Sequence, residues 1–216
     1  MTGTVDHRVA LVIPALNESM TISDVVMSLL PLGQPIVIDD GSTDGTNDIA
    51  RESGAIVKSH DRNLGIDAAL ASGLRLAVQH KFEFAITFDA DGQHTAESAR
   101  ECMLELFSGA DVVVGVRDHL PRWSEVVFSG LSTLLWGLRD PLCGLKGYRL
   151  SSIRAVNLEP TYCSIGTEIC IRSVRAGLDV REVPITTQTR YDVSRFGFGI
   201  RPHVKILAAL LKGCLI

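Results

Sequence analysis

Short apolar runs alternate with longer amphipathic segments through the first half of this chain. The short runs are rich in β-branched residues and predict buried strands at 9–13, 36–38, 55–58, 84–88 and 111–116. The amphipathic segments predict helices from Ser19 or Thr21 to Leu30, from Thr46 or Asn47 to Gly54, and over 67–80 and 95–107. Strands and helices that alternate over short connections form βαβ units, so this pattern predicts an α/β fold with a mostly parallel sheet.

The second half of the chain is less regular. Apolar periodicity predicts helices over 123–138, 164–176 and 203–216, and a strand over 180–185 that is broken at Pro184. Turn-forming residues predict loops over 139–148 and 190–201. No stretch with the composition of a linker separates the two halves, so we expect a single domain that spans residues 1–216.

Two carboxylates follow the apolar run at 84–88. Asp89 and Asp91 are two residues apart, so in an extended strand both side chains would point to the same face. Like charges this close repel each other unless a cation lies between them, and oxygen ligands suit Mg²⁺ or Mn²⁺. The alternative is a plain Asp-rich turn, because Asp91-Gly92 is a common turn dipeptide.

Polar loops also follow the first and second predicted strands, at Asn17-Glu18 and at Asp39-Asp40. In open α/β sheets, ligands bind outside the carboxyl ends of the strands. We therefore expect these two loops to converge with the Asp89–Asp91 loop on a single site.

Composition excludes several classes of protein. The chain has 216 residues, of which 46% are hydrophobic and 21% charged, and its net charge of −4 disfavours a general nucleic-acid binder. Five cysteines without a C-x-x-C pair disfavour a zinc site or a disulfide framework, and they indicate reduced thiols in a cytoplasmic setting. The polar N-terminus is unlike a secretory signal, and no apolar stretch reaches the ~18 to 20 residues that cross a bilayer.

A set of motifs, taken in order along the chain, resembles a known family. The motifs are 12–18 (VIPALNE), 38–46 (IDDGSTDGT), 63–65 (NLG), 89–94 (DADGQH), 115–117 (GVR), 143–148 (CGLKGY) and Glu168. Together they resemble the family 2 nucleotide-sugar glycosyltransferases with the GT-A fold, and they are most similar to the dolichyl- or polyprenyl-phosphate sugar transferase branch. The resemblance implies a three-layer α/β/α sandwich with a Rossmann-like nucleotide-sugar half at about 1–94 and an acceptor half at about 95–216.

The resemblance implies a donor site in the first half of the chain. It assigns nucleotide binding to Pro14, Ala15, Leu16, Asn17, Glu18, Asp40, Asn63, Gly65, Asp89 and Ala90. It assigns a divalent metal, Mg²⁺ or Mn²⁺, to Asp89, Asp91 and Gln93. This ion would neutralise the diphosphate of a nucleotide diphosphate sugar, which is a poor leaving group while it is charged.

Each of these assignments has a structural alternative. Pro14 and Asn17 can be turn formers, and Asn63 with Gly65 can form a loop that binds no ligand. Asp39 is expected to accept backbone N–H bonds rather than to contact the nucleotide. His94 could reach the metal or a phosphate, but an exposed loop histidine is equally common.

The second half of the chain would carry the acceptor. The resemblance implies an inverting transfer to a polyprenyl or dolichyl phosphate, with a glycan or another hydroxyl acceptor as the alternative. A hydroxyl needs a general base whereas a phosphate is already anionic, and the candidate catalytic residues are Glu168, Asp140 and, through the metal, Asp91. Acceptor or phosphate binding is expected at Arg117, Lys146, Arg190, Ser194 and Arg195. The 191–195 loop reads YDVSR and departs from the Gly-x-Ser-Lys-like pattern of the branch.

Segment 203–216 is apolar and carries Lys205 and Lys212. It is too short to span a bilayer, so it either makes a peripheral contact with the inner face of a membrane or packs as a terminal core helix. Segment 123–138 poses the same choice. The sequence is also compatible with a homodimer.

Two other functions would use the same residues. A sugar nucleotidyltransferase shares the sheet and the metal chemistry, but it usually has a Gly-rich loop with a lysine after the first strand, where this chain has Pro-Ala-Leu-Asn. A non-catalytic nucleotide-binding protein is disfavoured because both Asp89 and Asp91 are retained. A glycosidase would need two carboxylates on either side of the sugar, not a chelating pair at one strand end.

Overall fold

The computed structural model describes residues 6–120, 122–154, 164–187 and 200–215. The elements are β1 Val9–Ala15, α1 Ile22–Leu29, β2 Gln34–Asp39, α2 Thr46–Glu52, β3 Ile56–Ser59, α3 Ile66–Gln79, β4 Phe84–Thr87, α4 Ala96–Phe107, β5 Val112–Arg117, α5 Trp123–Trp136, β6 Lys146–Arg149, α6 Leu150–Ile153, α7 Ile165–Arg175, β7 Val180–Ile185 and α8 Ile200–Leu215. Within these residues the strands form one seven-stranded sheet in the order β3-β2-β1-β4-β6-β5-β7.

Every strand pair in this sheet is parallel except the two pairs that β6 makes with β4 and β5. The mostly parallel α/β sheet is therefore confirmed, and β4 and β6 join the two halves of the chain within it. The prediction of a loop over 139–148 is wrong at its end, because Lys146 begins strand β6. Lys146 lies opposite Thr87 of β4 and Val114 of β5. A four-residue strand that contains lysine, glycine and arginine has no local apolar pattern, so its neighbours on both sides create it.

Pro14 does not end the first strand as predicted, because β1 continues to Ala15 with Pro14 opposite Ile38. The Asp40 N–H donates to the Ala15 carbonyl on the β2 side, whereas the Val12 carbonyl accepts from Phe88 on the β4 side. Backbone groups alternate along a strand, so the nitrogen of Pro14 faces the β4 side, beyond the end of β4. A proline is tolerated where no partner needs its missing N–H.

The predicted break at Pro184 is also wrong, because β7 runs through Pro184 with Val116 opposite it. In the described sheet β7 is an outer strand, so only one side of it needs ladder hydrogen bonds.

Helices cover both faces of the sheet and form two apolar cores. Helices α1, α2 and α4 pack on one face, and helices α3, α5, α7 and α8 pack on the other. Strand β1 supplies both cores, since Val9, Leu11 and Ile13 point to the first face while Ala10 and Val12 point to the second. Each large apolar side chain that is fully buried in this way contributes about 1.5–3 kcal/mol to stability. The three-layer α/β/α sandwich is therefore confirmed.

The predicted cap of α4 is confirmed, because the Thr95 hydroxyl accepts the Ser98 N–H at 3.2 Å. Among the described residues, no helix combines the length and the apolar character needed to cross a bilayer.

Candidate active site

The loops after β1 and β2 are tied together by hydrogen bonds. The Asn17 side chain accepts the Thr43 N–H at 2.8 Å, and the Asn17 N–H donates to the Ser42 hydroxyl at 2.8 Å. The Glu18 N–H donates to the Thr46 hydroxyl, also at 2.8 Å. Asn17 has a φ of 51°, which asparagine tolerates better than most residues. Asn17 is therefore a turn former that also connects two of the predicted donor loops.

Asp44 strengthens the same connection. Its carboxylate accepts the Ser19 N–H at 3.1 Å, the Thr46 N–H at 3.1 Å and the Thr46 hydroxyl at 2.5 Å. Burial raises the pKa of Asp44, but the hydrogen bonds from Thr46 and Ser19 outweigh it and lower the pKa to about 2. The Asp44 carboxylate therefore connects the β1 and β2 loops by hydrogen bonds, and these bonds favour its charged form.

Asp40 organises the loop after β3. Its buried carboxylate accepts the Leu64 N–H at 3.0 Å and the Gly65 N–H at 2.8 Å, and it lies 2.7 Å from His60 Nδ1. The Asn63 side chain also accepts the Gly65 N–H, at 3.0 Å. Gly65 has a φ of 93°, a conformation that L side chains rarely adopt, so this loop needs glycine there. Asp39 accepts the Ser42 N–H at 3.1 Å, as predicted.

Asp89 and Asp91 lie in a turn rather than on a strand. Strand β4 ends at Thr87, so the prediction that strand alternation aims both carboxylates at one face is wrong. Asp91 accepts the Gln93 N–H at 3.0 Å, and Gly92 has a φ of 73°, which bends the chain there. The turn still begins where β4 ends, next to the end of β1, because the Phe88 N–H donates to the Val12 carbonyl at 2.9 Å.

Two groups hold the Asp89 carboxylate in place. His94 Nε2 lies 3.0 Å from Asp89 Oδ2, and the His94 ring packs edge-on against Phe88. A Cβ added to Gly144 would lie 2.4 Å from Asp89 Oδ2 and 2.7 Å from Oδ1. The alternative of an exposed His94 is wrong, since only 7% of the residue is accessible. Asp89 therefore sits in a cradle formed by a buried histidine and a glycine.

Further contacts tie the Asp89–Asp91 turn and the β6 region to their neighbours. The Thr21 hydroxyl at the start of α1 donates to the Ala90 carbonyl at 2.7 Å. The Thr87 hydroxyl donates to the Gly144 carbonyl at 2.7 Å and accepts the Lys146 N–H at 3.2 Å. The turn that carries the carboxylates is thus linked to α1, and the β4 end is linked to β6.

Lys146 is a buried cation at the carboxyl edge of the sheet. Only 4% of the residue is accessible, and its ammonium donates to the Cys143 carbonyl. A Cβ at Gly166, in the first turn of α7, would lie 3.2 Å from the same ammonium. Among the described residues, no carboxylate lies within ion-pair distance of the Lys146 ammonium. A buried ammonium is stable only with compensating negative charge or dipoles, so this position suits an anionic ligand.

Arg117 and Asp140 form a bidentate ion pair. Arg117 Nε lies 2.8 Å from Asp140 Oδ2, and Nη2 lies 3.0 Å from Oδ1. Burial lowers the pKa of Arg117, but the hydrogen bonds to Asp140 raise it above its ordinary value. Glu125 adds to this cluster, since it lies 3.6 Å from Arg117 and 2.9 Å from Arg122. The structure thus brings together two residues that were predicted in different roles.

Glu168 is buried in the first turn of α7, with 1% of the residue accessible, and it pairs with Arg172 at 2.6 Å. The alternative of an exposed glutamate is therefore wrong. Three predicted acceptor residues lie outside the described residues: Arg190, Ser194 and Arg195.

An open cleft of about 490 Å³ lies beside the β2 and β3 loops. It is lined by Asp39, Gly41, Ser42, Thr43, Gly45, Asn47, Asp48, Ser59, His60 and Asp61. Among the described residues, no group of three or more His, Cys, Asp or Glu side chains is arranged to hold a metal ion. A metal at Asp89 and Asp91 would therefore need further oxygen ligands, such as those of a substrate diphosphate.

Sequence reasoning missed His60, Gly144 and Thr21. His60 joins Asp40 to the Ser72 hydroxyl, which lies 3.0 Å from Nε2. The signal for His60 was its position directly after a strand, like the other site loops. Gly144 stood inside a motif that was noted, but only the fold shows that Asp89 needs its missing side chain.

A three-layer sandwich with a mostly parallel sheet and a pair of carboxylates after a central strand is the arrangement expected of a GT-A glycosyltransferase, and the family match distinguishes this class from the nucleotidyltransferases. The chain belongs to glycosyl transferase family 2, which matches residues 10–122. The predicted family and fold are therefore confirmed, and the protein is an enzyme of the glycosyltransferase class.

Similar proteins extend the match over nearly the whole chain. An uncharacterized protein of Methanocaldococcus jannaschii is 32% identical over 94% of this chain and 91% of its own length. A UDP-N-acetylglucosamine–dolichyl-phosphate N-acetylglucosaminyltransferase of Methanococcus voltae is 29% identical over 95% of this chain and 96% of its own length. The glucosyl-3-phosphoglycerate synthase of Mycobacterium tuberculosis, solved with Mn²⁺, UDP-glucose and phosphoglyceric acid, superposes with a TM-score of 0.77. It is 25% identical, and the match covers 98% of this chain and 81% of that one.

Proposed function

We propose that this protein is an inverting glycosyltransferase that depends on Mg²⁺ or Mn²⁺ and moves a sugar from a nucleotide diphosphate sugar to a polyprenyl or dolichyl phosphate. The observation that carries the proposal is the network that joins the β1, β2 and β4 loops. Asn17 reaches the β2 loop and Thr21 reaches Ala90, so all three loops meet beside Asp89. In this proposal the three connected loops hold the nucleotide, its diphosphate and the metal at one edge of the sheet.

The donor set fits a hard divalent ion. The side chains of Asp89, Asp91 and Gln93 would coordinate through oxygen atoms, which are the ligand atoms that Mg²⁺ and Mn²⁺ prefer. The space at Gly144 leaves the Asp89 carboxylate room that any larger residue would fill. Protein sites for Mg²⁺ often supply one or two carboxylates and leave the other positions to phosphates and water. When bound, the ion would neutralise the diphosphate leaving group.

In this proposal the residues of the β1 and β3 loops shape the nucleotide pocket. Pro14 to Glu18 and the Asn63–Gly65 loop would present backbone groups and side chains to the nucleotide. Asp40 would act mainly by holding the β3 loop, since its oxygens already accept two backbone N–H bonds.

The state of the acceptor-side carboxylates favours a phosphate acceptor. Asp140 is paired with Arg117, and Glu168 is paired with Arg172. A general base needs a lone pair within reach of the acceptor hydroxyl, and a carboxylate oxygen that already accepts an arginine hydrogen bond is less available for that role. A phosphate acceptor is already anionic and needs no base. Lys146 and Arg117 would then bind its charge, and the Methanococcus voltae relative is named for a dolichyl-phosphate acceptor.

Donor binding is tested by titrating UDP-sugars and GDP-sugars calorimetrically, with and without Mn²⁺. We expect one nucleotide to bind only when the metal is present. Asp91→Asn should lose this metal-dependent binding while it unfolds at the wild-type temperature. Absence of binding by every nucleotide diphosphate to the folded protein would refute the donor assignment.

The acceptor is tested by following sugar transfer from the nucleotide that binds. We expect product with a short polyprenyl phosphate and none with the matching polyprenol. The M. tuberculosis enzyme was solved with phosphoglyceric acid, so 3-phosphoglycerate is the natural competing acceptor. Transfer to 3-phosphoglycerate alone would refute the lipid-phosphate acceptor but leave the metal-dependent transfer intact.

A further inference from the structure

The first turn of helix α7 is held by a carboxylate from another helix. The first N–H groups of a helix have no partner within it, and the N-cap residue Ser164 makes no side-chain cap bond. Instead, the Ile165 N–H donates to Asp67 Oδ1 at 2.6 Å. Asp67 is half-buried in the first turn of α3, 98 positions earlier in the chain. Asp67 therefore caps a helix to which it does not belong, and its negative charge suits the positive end of that helix.

This turn of α7 carries groups on the acceptor side of the proposed site. Glu168 lies in the turn and is buried. A Cβ at Gly166 would lie 3.2 Å from the Lys146 ammonium, so the turn also bounds that cation. The Thr167 hydroxyl donates to the Pro141 carbonyl at 2.9 Å, which ties the turn to the loop before β6. The position of the turn therefore affects several of the groups that were assigned to the acceptor.

The other end of this contact belongs to the donor side. Gly65 is the N-cap of α3, and its N–H is held by Asp40 and Asn63. Its carbonyl accepts the Ala69 N–H at 3.1 Å, so the β3 loop and the first turn of α3 form one hydrogen-bonded unit. Asp67 lies within that turn, two residues after Gly65. A ligand that shifts or orders the β3 loop therefore acts on Asp67 as well.

The Asp67–Ile165 hydrogen bond suits a contact that responds to a ligand. A hydrogen bond to a carboxylate is roughly twice as strong as one between neutral groups, so it can hold two helix ends together. Its strength also depends steeply on geometry, so a small movement of the α3 end changes how firmly α7 is held. The pairing of β4 with β6 also joins the two halves of the chain, but it is a backbone ladder inside the sheet and lies away from the β3 loop.

We propose that Asp67 is a positioning residue that couples donor binding to the acceptor side of the site. Nucleotide binding orders the β3 loop, the loop holds Asp67 against the Ile165 N–H, and the first turn of α7 is then fixed beside Lys146. The coupling is reciprocal, so acceptor binding tightens nucleotide binding by the same factor. The two ligands are those of the proposed function, on which the coupling rests.

The test is amide hydrogen exchange measured by NMR, without ligand and with Mn²⁺ plus whichever of UDP and GDP binds. We expect the nucleotide to slow exchange of the Ile165 N–H about tenfold in the wild type and less than about twofold in Asp67→Ala. Asp67→Asn should retain most of the response, since its amide oxygen can accept the same hydrogen bond. Because exchange is read at Ile165 itself, it reports this bond rather than any other contact that the carboxylate makes.

Asp24→Ala is the matched control for the exchange measurement. It removes an exposed aspartate from the first turn of α1, across the sheet from α3 and α7. This control should respond to the nucleotide like the wild type. Asp67→Ser repeats the test should Asp67→Ala fail to fold by circular dichroism, since its hydroxyl ends one bond short of the Oδ1 position.

Calorimetry gives a second measurement that a purely structural cap would not change. The same nucleotide is titrated with Mn²⁺, in the absence and in the presence of a short polyprenyl phosphate. We expect the polyprenyl phosphate to tighten nucleotide binding about tenfold in the wild type and less than about twofold in Asp67→Ala. A cap that only stabilises the fold, or a direct contact with the nucleotide, would leave the ratio of the two affinities at its wild-type value.

Three results would overturn the coupling: Ile165 exchange that does not respond to the nucleotide in the wild type, an equal response in Asp67→Ala, or a ratio of affinities that Asp67→Ala leaves unchanged. Any of them, found while the nucleotide binds, refutes the coupling alone. If no nucleotide diphosphate binds the folded protein, the proposed function fails together with the coupling.

Discussion

Gly144→Ala adds one methyl group beside the Asp89 carboxylate. The new Cβ would lie 2.4 Å from Oδ2, whereas ordinary contact begins at about 3.4 Å, so the carboxylate must move by about 1 Å. The backbone of Gly144 does not have the positive φ that favours glycine, so alanine causes no backbone strain there. The three atoms nearest to the new Cβ all belong to Asp89, so the perturbation acts first on that side chain.

A displacement of about 1 Å at a catalytic group costs on the order of 100-fold in rate, or about 2.7 kcal/mol of transition-state stabilisation. Metal sites are at least as demanding, because ligand distances must hold to about 0.2 Å. We therefore expect Gly144→Ala to lower kcat/KM about 100-fold and to weaken Mn²⁺-dependent nucleotide binding. The free energy of urea unfolding should change much less.

The assay is calorimetric titration of the nucleotide with Mn²⁺, followed by steady-state kinetics and urea unfolding. Gly130→Ala is the matched control, since a Cβ there meets no atom within 4 Å. In an Asp89→Ala background, Gly144→Ala should have no further effect on binding, because the group that it displaces is absent. Wild-type nucleotide affinity and kcat/KM in Gly144→Ala would refute the claim that the missing side chain at position 144 sets the position of the Asp89 carboxylate.

Three further changes test the contacts around the site. Asp140→Asn removes the bidentate partner of Arg117 and leaves Glu125, at 3.6 Å, as its remaining counter-charge, so the free energy of urea unfolding should fall by about 1–3 kcal/mol. His60→Asn removes a buried contact to Asp40, so KM for the donor should rise about tenfold with little change in kcat. Asp44→Asn should destabilise the fold at pH 7 by no more than about 1 kcal/mol and hardly at all near pH 2. The folded pKa of Asp44 lies near 2, below the ordinary 3.8, so its stabilisation is present above pH 3.8 and lost as pH falls through 2.

Controls separate each effect from general damage. Asp118→Asn changes an exposed neighbour of Arg117 and should shift the unfolding free energy by less than about 0.5 kcal/mol. Equal loss in Asp118→Asn and Asp140→Asn would contradict the role of the ion pair. A fall in kcat without a change in KM would contradict the role given to His60. Equal destabilisation by Asp44→Asn at both pH values would contradict the assignment of its effect to charge.

Local pattern was sufficient for most of the first half of the fold. Apolar runs marked the buried strands because parallel strands covered on both faces read as continuous apolar segments. Thr95 marked the start of α4 because a cap is a local interaction over three residues. The predictions failed where a neighbour decides the outcome. Pro14 stays in β1 because β4 has already ended beside it, and Lys146–Arg149 becomes a strand only because β4 and β5 flank it.

The chain by itself determined most of the elements in its first half and the polar loops that follow them, since hydrophobic periodicity and turn chemistry act over a few residues. It therefore indicated the Asp89–Asp91 turn, the Asp40 loop and the family. Only the tertiary structure decided what each side chain contacts. Asp140 pairs with Arg117 across 23 residues, and Asp89 rests on a glycine 55 positions away, because such contacts depend on how distant segments fold together. Periodicity also cannot say which face of α5 is covered by the rest of the protein. Phe128 and Trp136 are buried, whereas Val126, Leu131 and Leu134 are exposed.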